Sequence, residues 1–134
     1  MTIQKTLSII KPNAVKKNKI GSIISMLEEV GLKITNAKMA RLENVEAQTF
    51  YREHEGKPFF EELIAFMTSG PIVVMILEGK NAIHLNREVM GQTNPAEAKP
   101  GSIRAKYGDG MTENAVHGSD GENSAKEEIR FFFG

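Results

Sequence analysis

The sequence predicts a mixed α/β sandwich of the α+β class, in which helices cover a four-stranded antiparallel sheet. Short apolar runs with strand character recur four times, and stripes of apolar residues at helical spacing separate them. A non-periodic stretch over 91–114 is typical of a long functional loop. At 134 residues, the chain suits a single domain over 1–134.

Strands and helices alternate through the first half of the chain. The apolar run over 6–10 predicts a buried strand that ends before Pro12, because proline has no N–H to give to a sheet. Apolar residues at helical spacing follow, and Gly31 predicts the end of that first helix. Partial alternation over 32–42 predicts a second strand, and a short helix is expected over 45–53.

The second half continues this alternation on both sides of the long loop. A helix is predicted over 58–68, and the continuous apolar run over 72–77 predicts a central strand buried on both faces. A helix over 81–90 precedes the loop, and a short strand at 115–117 follows it. Reduced to its essentials, this order is the split β-α-β of ferredoxin-like sandwiches, a fold that hosts many functions.

Composition and charge exclude several classes of protein. The 17 Lys and Arg balance the 17 Asp and Glu, so no general attraction to nucleic acid or to an anionic membrane is expected. The absence of cysteine excludes disulfides, thiolate metal sites and cysteine catalysis. No apolar run is long enough to span a membrane and the N-terminus shows no signal-peptide pattern, which predicts a cytoplasmic protein.

The common phosphate and metal motifs are also missing. The stretch EGKN at 78–81 lacks the spacing and the final hydroxyl of a P-loop, and HEGK at 54–57 lacks the second histidine of a zinc-binding H-E-x-x-H. No glycine fingerprint for dinucleotide binding follows a strand. Any phosphate chemistry must therefore depend on individually placed side chains.

The stretch NAVHGSDG, at 114–121, holds the strongest candidate for chemistry. His117 stands at the end of a short strand, beside Gly118, which is expected to leave room for a ligand, and close to a helix N-terminus that favours anions. That helix is predicted to begin with a capping box between Ser119 and Glu122. Two interpretations of His117 are open: the imidazole acts as a nucleophile or as an acid–base catalyst, or its role is purely structural.

Three cations and two neutral donors complete a candidate polyphosphate site. Lys11 ends the first strand in phase with core residues, Arg87 lies late in a helix, and Arg104 lies in the long loop. Thr93 and Asn114 stand at the two ends of that loop. Such groups can neutralise and position the oxygens of a transferring phosphoryl group. A solvated Lys11 head and a helix-dipole role for Arg87 are the simpler alternatives.

Phe59 is an aromatic residue off the apolar stripe of its helix. It lies about 100° around the helix from the core-facing Phe60. Two interpretations are open. Phe59 belongs to a satellite core, or it offers a flat surface on which a base or a sugar stacks.

Five blocks of the sequence resemble, in the same order, the characteristic blocks of nucleoside diphosphate kinases. They are LSIIKPNAV, FYREHEGKPFFEELIAFMTSGP, NREVMGQTNPAEAKPGSIRAKYG, NAVHGSDG and SAKEEIRFFF. The resemblance covers essentially the whole chain. It implies a ferredoxin-like α/β sandwich that transfers the γ-phosphate of ATP, or of another nucleoside triphosphate, to a nucleoside or deoxynucleoside diphosphate. The implied mechanism is ping-pong, and the implied role is to maintain nucleoside triphosphate pools.

The same resemblance implies roles for individual residues. His117 is implied to be the phosphohistidine nucleophile, with Glu128 fixing its imidazole and Tyr51 beside it. The matched nucleotide-binding positions are Lys11, Arg87, Thr93 and Arg104 for the phosphates, Asn114 for the sugar, and Phe59 with Leu63 for the base.

Mg²⁺ is the implied cofactor. In the family it travels on the nucleotide phosphates, so few protein ligands are expected, and Asp120 is the position that would reach the ion through water. The resemblance also implies a homo-oligomer built from dimers, as a tetramer or a hexamer. Composition and charge predict neither a membrane nor a specific nucleic acid as a partner. Two positions depart from the family pattern: Gly121, where serine is more usual, and Met111, where a smaller branched residue often lines the base site.

Two other classes of function stay open from the residues alone. A histidine phosphocarrier protein would also use a phosphohistidine, but it would pass phosphate to protein partners and would not need an aromatic platform at Phe59. The other class is a non-enzymatic ferredoxin-like module that binds nucleotides or nucleic acid. Zero net charge and a single aromatic candidate weigh against binding to a nucleic acid strand.

Overall fold

The computed structural model of the chain describes residues 3–134. Within that range, helices flank one four-stranded sheet. The elements in chain order are β1 (Ile3–Ile10), α1 (Pro12–Lys16), α2 (Ile20–Glu29), β2 (Lys33–Ala40), α3 (Asn44–Phe50), α4 (Phe60–Met67), β3 (Ile72–Lys80), α5 (Ala82–Met90), α6 (Ile103–Tyr107), β4 (Val116–Gly118) and α7 (Glu122–Phe133), with a 3₁₀ turn at Arg52–His54. None of the helices in the described part of the chain is long and apolar enough to cross a membrane.

The sheet has the strand order β2-β3-β1-β4, with every neighbouring pair antiparallel. This arrangement confirms the predicted ferredoxin-like class. The two central strands pair along their whole length, from Ile3 opposite Lys80 to Ile10 opposite Val73. The short strand β4 pairs only with the end of β1, where His117 lies opposite Ile9. The register therefore holds His117 at the rim of the sheet.

Apolar side chains on both faces of the sheet fill two separate cores. Strand β3 contributes to both, because Val74 points to the core under α3, α4 and α7, while Met75 points to the core under α2 and α5. Each fully buried side chain of this kind contributes roughly 2 kcal/mol. The prediction that 72–77 is a central strand buried on both faces is confirmed.

The capping box predicted between Ser119 and Glu122 is wrong. Helix α7 begins at Glu122 with Gly121 before it, and the Gly121 N–H donates to Ser124 Oγ at 3.0 Å. Ser119 cannot cap the helix because its N–H donates to the Leu7 carbonyl and its hydroxyl accepts the Leu7 N–H. These bonds extend the pairing between β4 and β1 by one residue.

Two short helices lie where the sequence predicted none. Helix α1 follows β1 directly, with Pro12 in its first turn, where a missing N–H does no harm. Helix α6 interrupts the long loop, and the Ser102 hydroxyl at its start accepts the Ala105 N–H at 3.3 Å. Each helix has five residues, too few to show a helical period.

Candidate active site

The imidazole of His117 is held in a mostly buried position at the end of β4. Its side chain is 18% exposed. Phe50 and Tyr51, at the end of α3, pack edge-on against the ring with centroids 5.3 Å and 6.0 Å away. Helix α3 and strand β4 thus fix the plane of the ring between them.

A chain of hydrogen bonds orients the same imidazole. His117 Nε2 lies 2.9 Å from Glu128 Oε1, which also accepts the Ser119 hydroxyl at 2.7 Å. Because a carboxylate can only accept, Nε2 carries the proton. In the neutral ring, the other nitrogen, Nδ1, then has a free lone pair. This is the arrangement that activates a histidine nucleophile.

A strained turn precedes the histidine. Ala115 is buried with φ of 78°, and the Val116 N–H donates to the Asn114 carbonyl at 3.0 Å across it. A residue other than glycine in such a conformation costs about 1–3 kcal/mol and persists only where its surroundings hold it. The Lys11 N–H supplies part of that hold, since it donates to the Ala115 carbonyl at 2.8 Å. The turn lies between Asn114 and the strand that carries His117.

Lys11 and Asn114 form a buried pair beside this turn. Lys11 Nζ donates to Asn114 Oδ1 at 2.9 Å, and Asn114 Nδ2 donates to the carbonyls of Thr93 and Met111. Burial, reinforced by the nearby Arg104 guanidinium, lowers the pKa of Lys11 to about 7. The ammonium is thus poorly solvated in the absence of an anion.

The Arg104 guanidinium spans the gap between α5 and β4. It donates to the Gly91 carbonyl at 3.1 Å and to the Val116 carbonyl at 2.9 Å. Burial and the positive charge of Arg87 lower the pKa of Arg104 to about 10. These interactions place two guanidiniums close to each other, which favours the approach of an anion.

An open pocket of about 640 Å³ lies in front of these groups. Its lining includes Arg87, Thr93, Arg104, Met111, His117 and Gly118. The structure therefore brings together the histidine, both arginines and the threonine that the sequence proposed for one site. Lys11 and Asn114 join them through the hydrogen bond to the Thr93 carbonyl.

Phe59 and Leu63 do not line this pocket. Phe59 directly precedes α4, is 41% exposed and lies beside His54, with ring centroids 5.4 Å apart. Leu63 is buried in the core under α4. Contact of both residues with a nucleotide base stays a prediction.

Tyr51 and Asp120 differ in their relation to the site. The Tyr51 hydroxyl is buried without a hydrogen-bond partner among the described residues, and burial, followed by the charge of Glu128, raises its pKa. Asp120 is exposed and accepts the Ser124 hydroxyl at 2.7 Å. Across residues 3–134, no three His, Cys, Asp or Glu side chains form a cluster that could hold a metal ion.

Sequence reasoning missed two residues and misinterpreted a third. It gave no role at the site to Ser119 or Phe50, although both contact the catalytic candidates. Gly118 lines the pocket, but the space left by its missing side chain is taken by α5 and not by a ligand. A Cβ there would come within 2.4 Å of Asn86 Nδ2 and 2.6 Å of Met90 Sδ, so the glycine serves the close packing of α5 on β4.

A nucleophilic imidazole that faces a pocket with guanidinium groups can accept and release a phosphoryl group. Because charge neutralisation and positioning are the main demands of that reaction, the fold and the site together define a phosphotransferase.

Comparison with known proteins identifies the family. The nucleoside diphosphate kinase family model matches residues 4–134. A nucleoside diphosphate kinase of Coxiella burnetii is 57% identical over 99% of this chain and 96% of its own. Nucleoside diphosphate kinase 2 of Protochlamydia amoebophila is 55% identical over 99% of this chain and 93% of its own.

Solved structures agree with these relatives. The Aquifex aeolicus nucleoside diphosphate kinase superimposes with a TM-score of 0.97 at 42% identity, covering 99% of this chain and 96% of that one. The Halobacterium salinarum enzyme, solved in complex with CDP, gives a TM-score of 0.95 at 40% identity, covering 98% and 88%. The chain belongs to the nucleoside diphosphate kinase family and has its activity, phosphate transfer from a nucleoside triphosphate to a nucleoside diphosphate.

Proposed function

We propose that this transfer runs through a phosphohistidine at Nδ1 of His117. In the first half-reaction, the Nδ1 lone pair attacks the γ-phosphorus of ATP or another triphosphate, and the bond to the departing diphosphate breaks with its electron pair on oxygen. In the second, a β-phosphate oxygen of the incoming diphosphate attacks that phosphorus, and the N–P bond returns its pair to Nδ1. The 2.9 Å contact of Nε2 with Glu128 carries this proposal, because it leaves Nδ1 as the nucleophile.

Glu128 has a second role in the proposed reaction. The imidazole gains positive charge as its bond to phosphorus forms, and the carboxylate at Nε2 offsets that charge. Ser119 keeps Oε1 of Glu128 in place through its hydroxyl. Tyr51 and Phe50 restrict the ring to the orientation that this contact requires.

The cations of the pocket are proposed to bind the phosphates. Arg87, Arg104 and the Thr93 hydroxyl line the same cavity as the imidazole, and Lys11 is tied to its wall by Asn114. Charged phosphate oxygens at this position would compensate for the poor solvation of the Lys11 and Arg104 cations. The free energy of that interaction supplies both affinity and alignment for in-line transfer.

The nucleoside is proposed to lie toward the outer part of the site. Asn114 Oδ1, which already accepts the Lys11 ammonium, can accept a sugar hydroxyl with its second lone pair. Phe59 offers an exposed ring on which a base can stack, with Leu63 one turn further along α4. The CDP bound to the Halobacterium salinarum relative supports a diphosphate ligand of this type.

Mg²⁺ is proposed to enter with the nucleotide. The pocket has a cationic lining and the described residues contain no cluster of metal-ligating side chains, which fits an ion held by phosphate oxygens. When bound there, the ion would neutralise charge on those oxygens. Asp120, exposed beside the start of α7, is the carboxylate proposed to reach it through water.

We also propose that residues 1–134 act as one domain of a homo-oligomer built from dimers, as a tetramer or a hexamer. Exposed apolar side chains away from the pocket, such as Ile3 and Val45, offer surface for contacts between copies. A cytoplasmic location is also proposed. Neither a membrane nor a specific nucleic acid is proposed as a partner.

Labelling tests the phosphohistidine directly. Incubation with γ-labelled ATP alone should place acid-labile label on the protein, and addition of a nucleoside diphosphate should move that label to free nucleotide. His117→Asn should abolish both steps. Label that passes only to another protein would support a phosphocarrier instead, and full transfer by the variant would refute the proposal.

A further inference from the structure

Met111 is the large exposed apolar side chain in the lining of the pocket. It is 59% exposed, whereas Met90, the other methionine of the lining, is 4% exposed. Phosphates belong at the cationic end, near Arg104 and His117. The flat face of the base is therefore expected to contact Met111, an inference that rests on the proposed function.

Hydrogen bonds on both sides of Met111 hold the backbone that carries its side chain. The Met111 carbonyl accepts Asn114 Nδ2 at 3.0 Å. The N–H groups of Asp109 and Gly110 both donate to the Glu113 carbonyl, at 2.7 Å and 3.2 Å. The exposed thioether is thus held in the lining of the pocket by a hydrogen-bonded turn.

We propose that Met111 is a reversible oxidation site through which peroxide weakens nucleotide binding. The thioether sulfur attacks one oxygen of hydrogen peroxide, the O–O bond breaks, and the other oxygen leaves as water, so that sulfur loses two electrons and peroxide gains them. The sulfoxide replaces a polarisable apolar contact with a polar, solvated group. The base then loses one wall of its binding site, while the phosphates keep theirs.

The expected effect separates binding from chemistry. The contact of a thioether with a ring contributes little more than 1 kcal/mol, so oxidation should raise KM for the diphosphate by about threefold to tenfold. The value of kcat should change little, because His117, Glu128 and the arginines are untouched. Methionine sulfoxide reductases of both stereospecificities should restore the original KM.

Met39 provides a matched control. It lies on β2, outside the pocket, and is 58% exposed, almost the same fraction as Met111. Wild type, Met111→Leu and Met39→Leu are each treated with hydrogen peroxide, and peptide mass spectrometry locates every sulfoxide. Each treated protein is compared with its own untreated sample, in steady-state kinetics and in calorimetric titration with ADP.

The proposal expects weaker ADP binding after oxidation in wild type and in Met39→Leu, and no such change in Met111→Leu. An equal loss in Met111→Leu, or intact affinity in wild type that carries the Met111 sulfoxide, would overturn it. Labelling of His117 in the untreated protein is scored separately. Its failure would refute the phosphohistidine mechanism, whereas the ADP titration reports on Met111 alone.

Discussion

The Ser119 hydroxyl donates to Glu128 Oε1 at 2.7 Å while it accepts the backbone N–H of Leu7 at 3.3 Å. One buried side chain thus connects the central strand β1 to the carboxylate that fixes His117. Three hydrogen bonds in series therefore join β1 to the imidazole: Leu7 to Ser119, Ser119 to Glu128, and Glu128 to His117.

Replacement of Ser119 should therefore lower activity as well as stability. In Ser119→Ala, the Leu7 N–H loses its side-chain partner and Glu128 loses one of its two contacts, so we expect unfolding about 1–3 kcal/mol easier and kcat about threefold to tenfold lower. Denaturant unfolding and steady-state kinetics measure the two effects. Ser69→Ala is the control, because its exposed hydroxyl donates to the Phe66 carbonyl and contacts no residue of the site. A normal kcat in Ser119→Ala would show that Glu128 needs no second support.

Glu128→Gln should impair the first half-reaction through the tautomer of His117. A carboxamide has nearly the same shape, but it can donate as well as accept, so it no longer forces the proton onto Nε2. We expect phosphohistidine formation to slow by about tenfold or more. Single-turnover labelling with ATP, without an acceptor, isolates this step. Unchanged labelling with slower discharge would place the role of Glu128 in the second half-reaction only.

Burial of Lys11 should make folding stability depend on pH. Its pKa is about 7 in the folded chain, against an ordinary value of 10.5 for an exposed lysine, so between these values the unfolded chain binds more protons. Stability should therefore increase as pH rises from about 7 toward 10, by at most a few kcal/mol. Below pH 7 Lys11 is protonated in both the folded and the unfolded chain, so it should add no pH dependence there. Lys11→Met should remove this slope, while substitution of the exposed Lys16 should leave it. Urea unfolding across that pH range decides between the outcomes.

The same lysine should link nucleotide binding to proton uptake. Phosphate oxygens near Lys11 favour its ammonium form, so at pH 8.5 the protein should take up a proton when ADP binds. Affinity should consequently fall as pH rises above about 7, by less than tenfold per pH unit. Calorimetric titrations in two buffers of different ionisation enthalpy count the proton. Binding without uptake at pH 8.5 would place the phosphates away from Lys11.

Sequence reasoning succeeds where a pattern is local and repeated. The apolar run that forms β3 and the stripes of the longer helices have the periods that their burial requires, so the sheet and its class could be predicted. Helix α6 could not, because five residues show no period. The sequence pattern predicts that Ser119 caps a helix. This prediction fails because the actual partner of Ser119, the Leu7 N–H, lies 112 residues away and leaves no pattern in the sequence.

The glycines of the NAVHGSDG stretch show the same limit. The sequence favours Gly118 as space for a ligand, but Asn86 and Met90 fill the volume that a Cβ would take. Gly121, where the resembling family usually has serine, has no atom within 4 Å of such a Cβ, and its φ of −169° suits any residue. Sequence letters alone do not separate a glycine that packing requires from one that it merely tolerates.

These two positions should consequently respond in opposite ways to a side chain. Gly118→Ala should push α5 from β4, lower the free energy of unfolding by about 1–3 kcal/mol and displace the neighbouring His117, so that kcat falls as well. Gly121→Ser should leave both quantities within about 0.5 kcal/mol of wild type, with any change favouring stability, since serine suits the position before a helix. Thermal unfolding and steady-state kinetics of the two variants, side by side, make the comparison. If Gly118→Ala changed neither the free energy of unfolding nor kcat, α5 could shift without disturbing His117. The packing of α5 on β4 would then not require glycine at position 118.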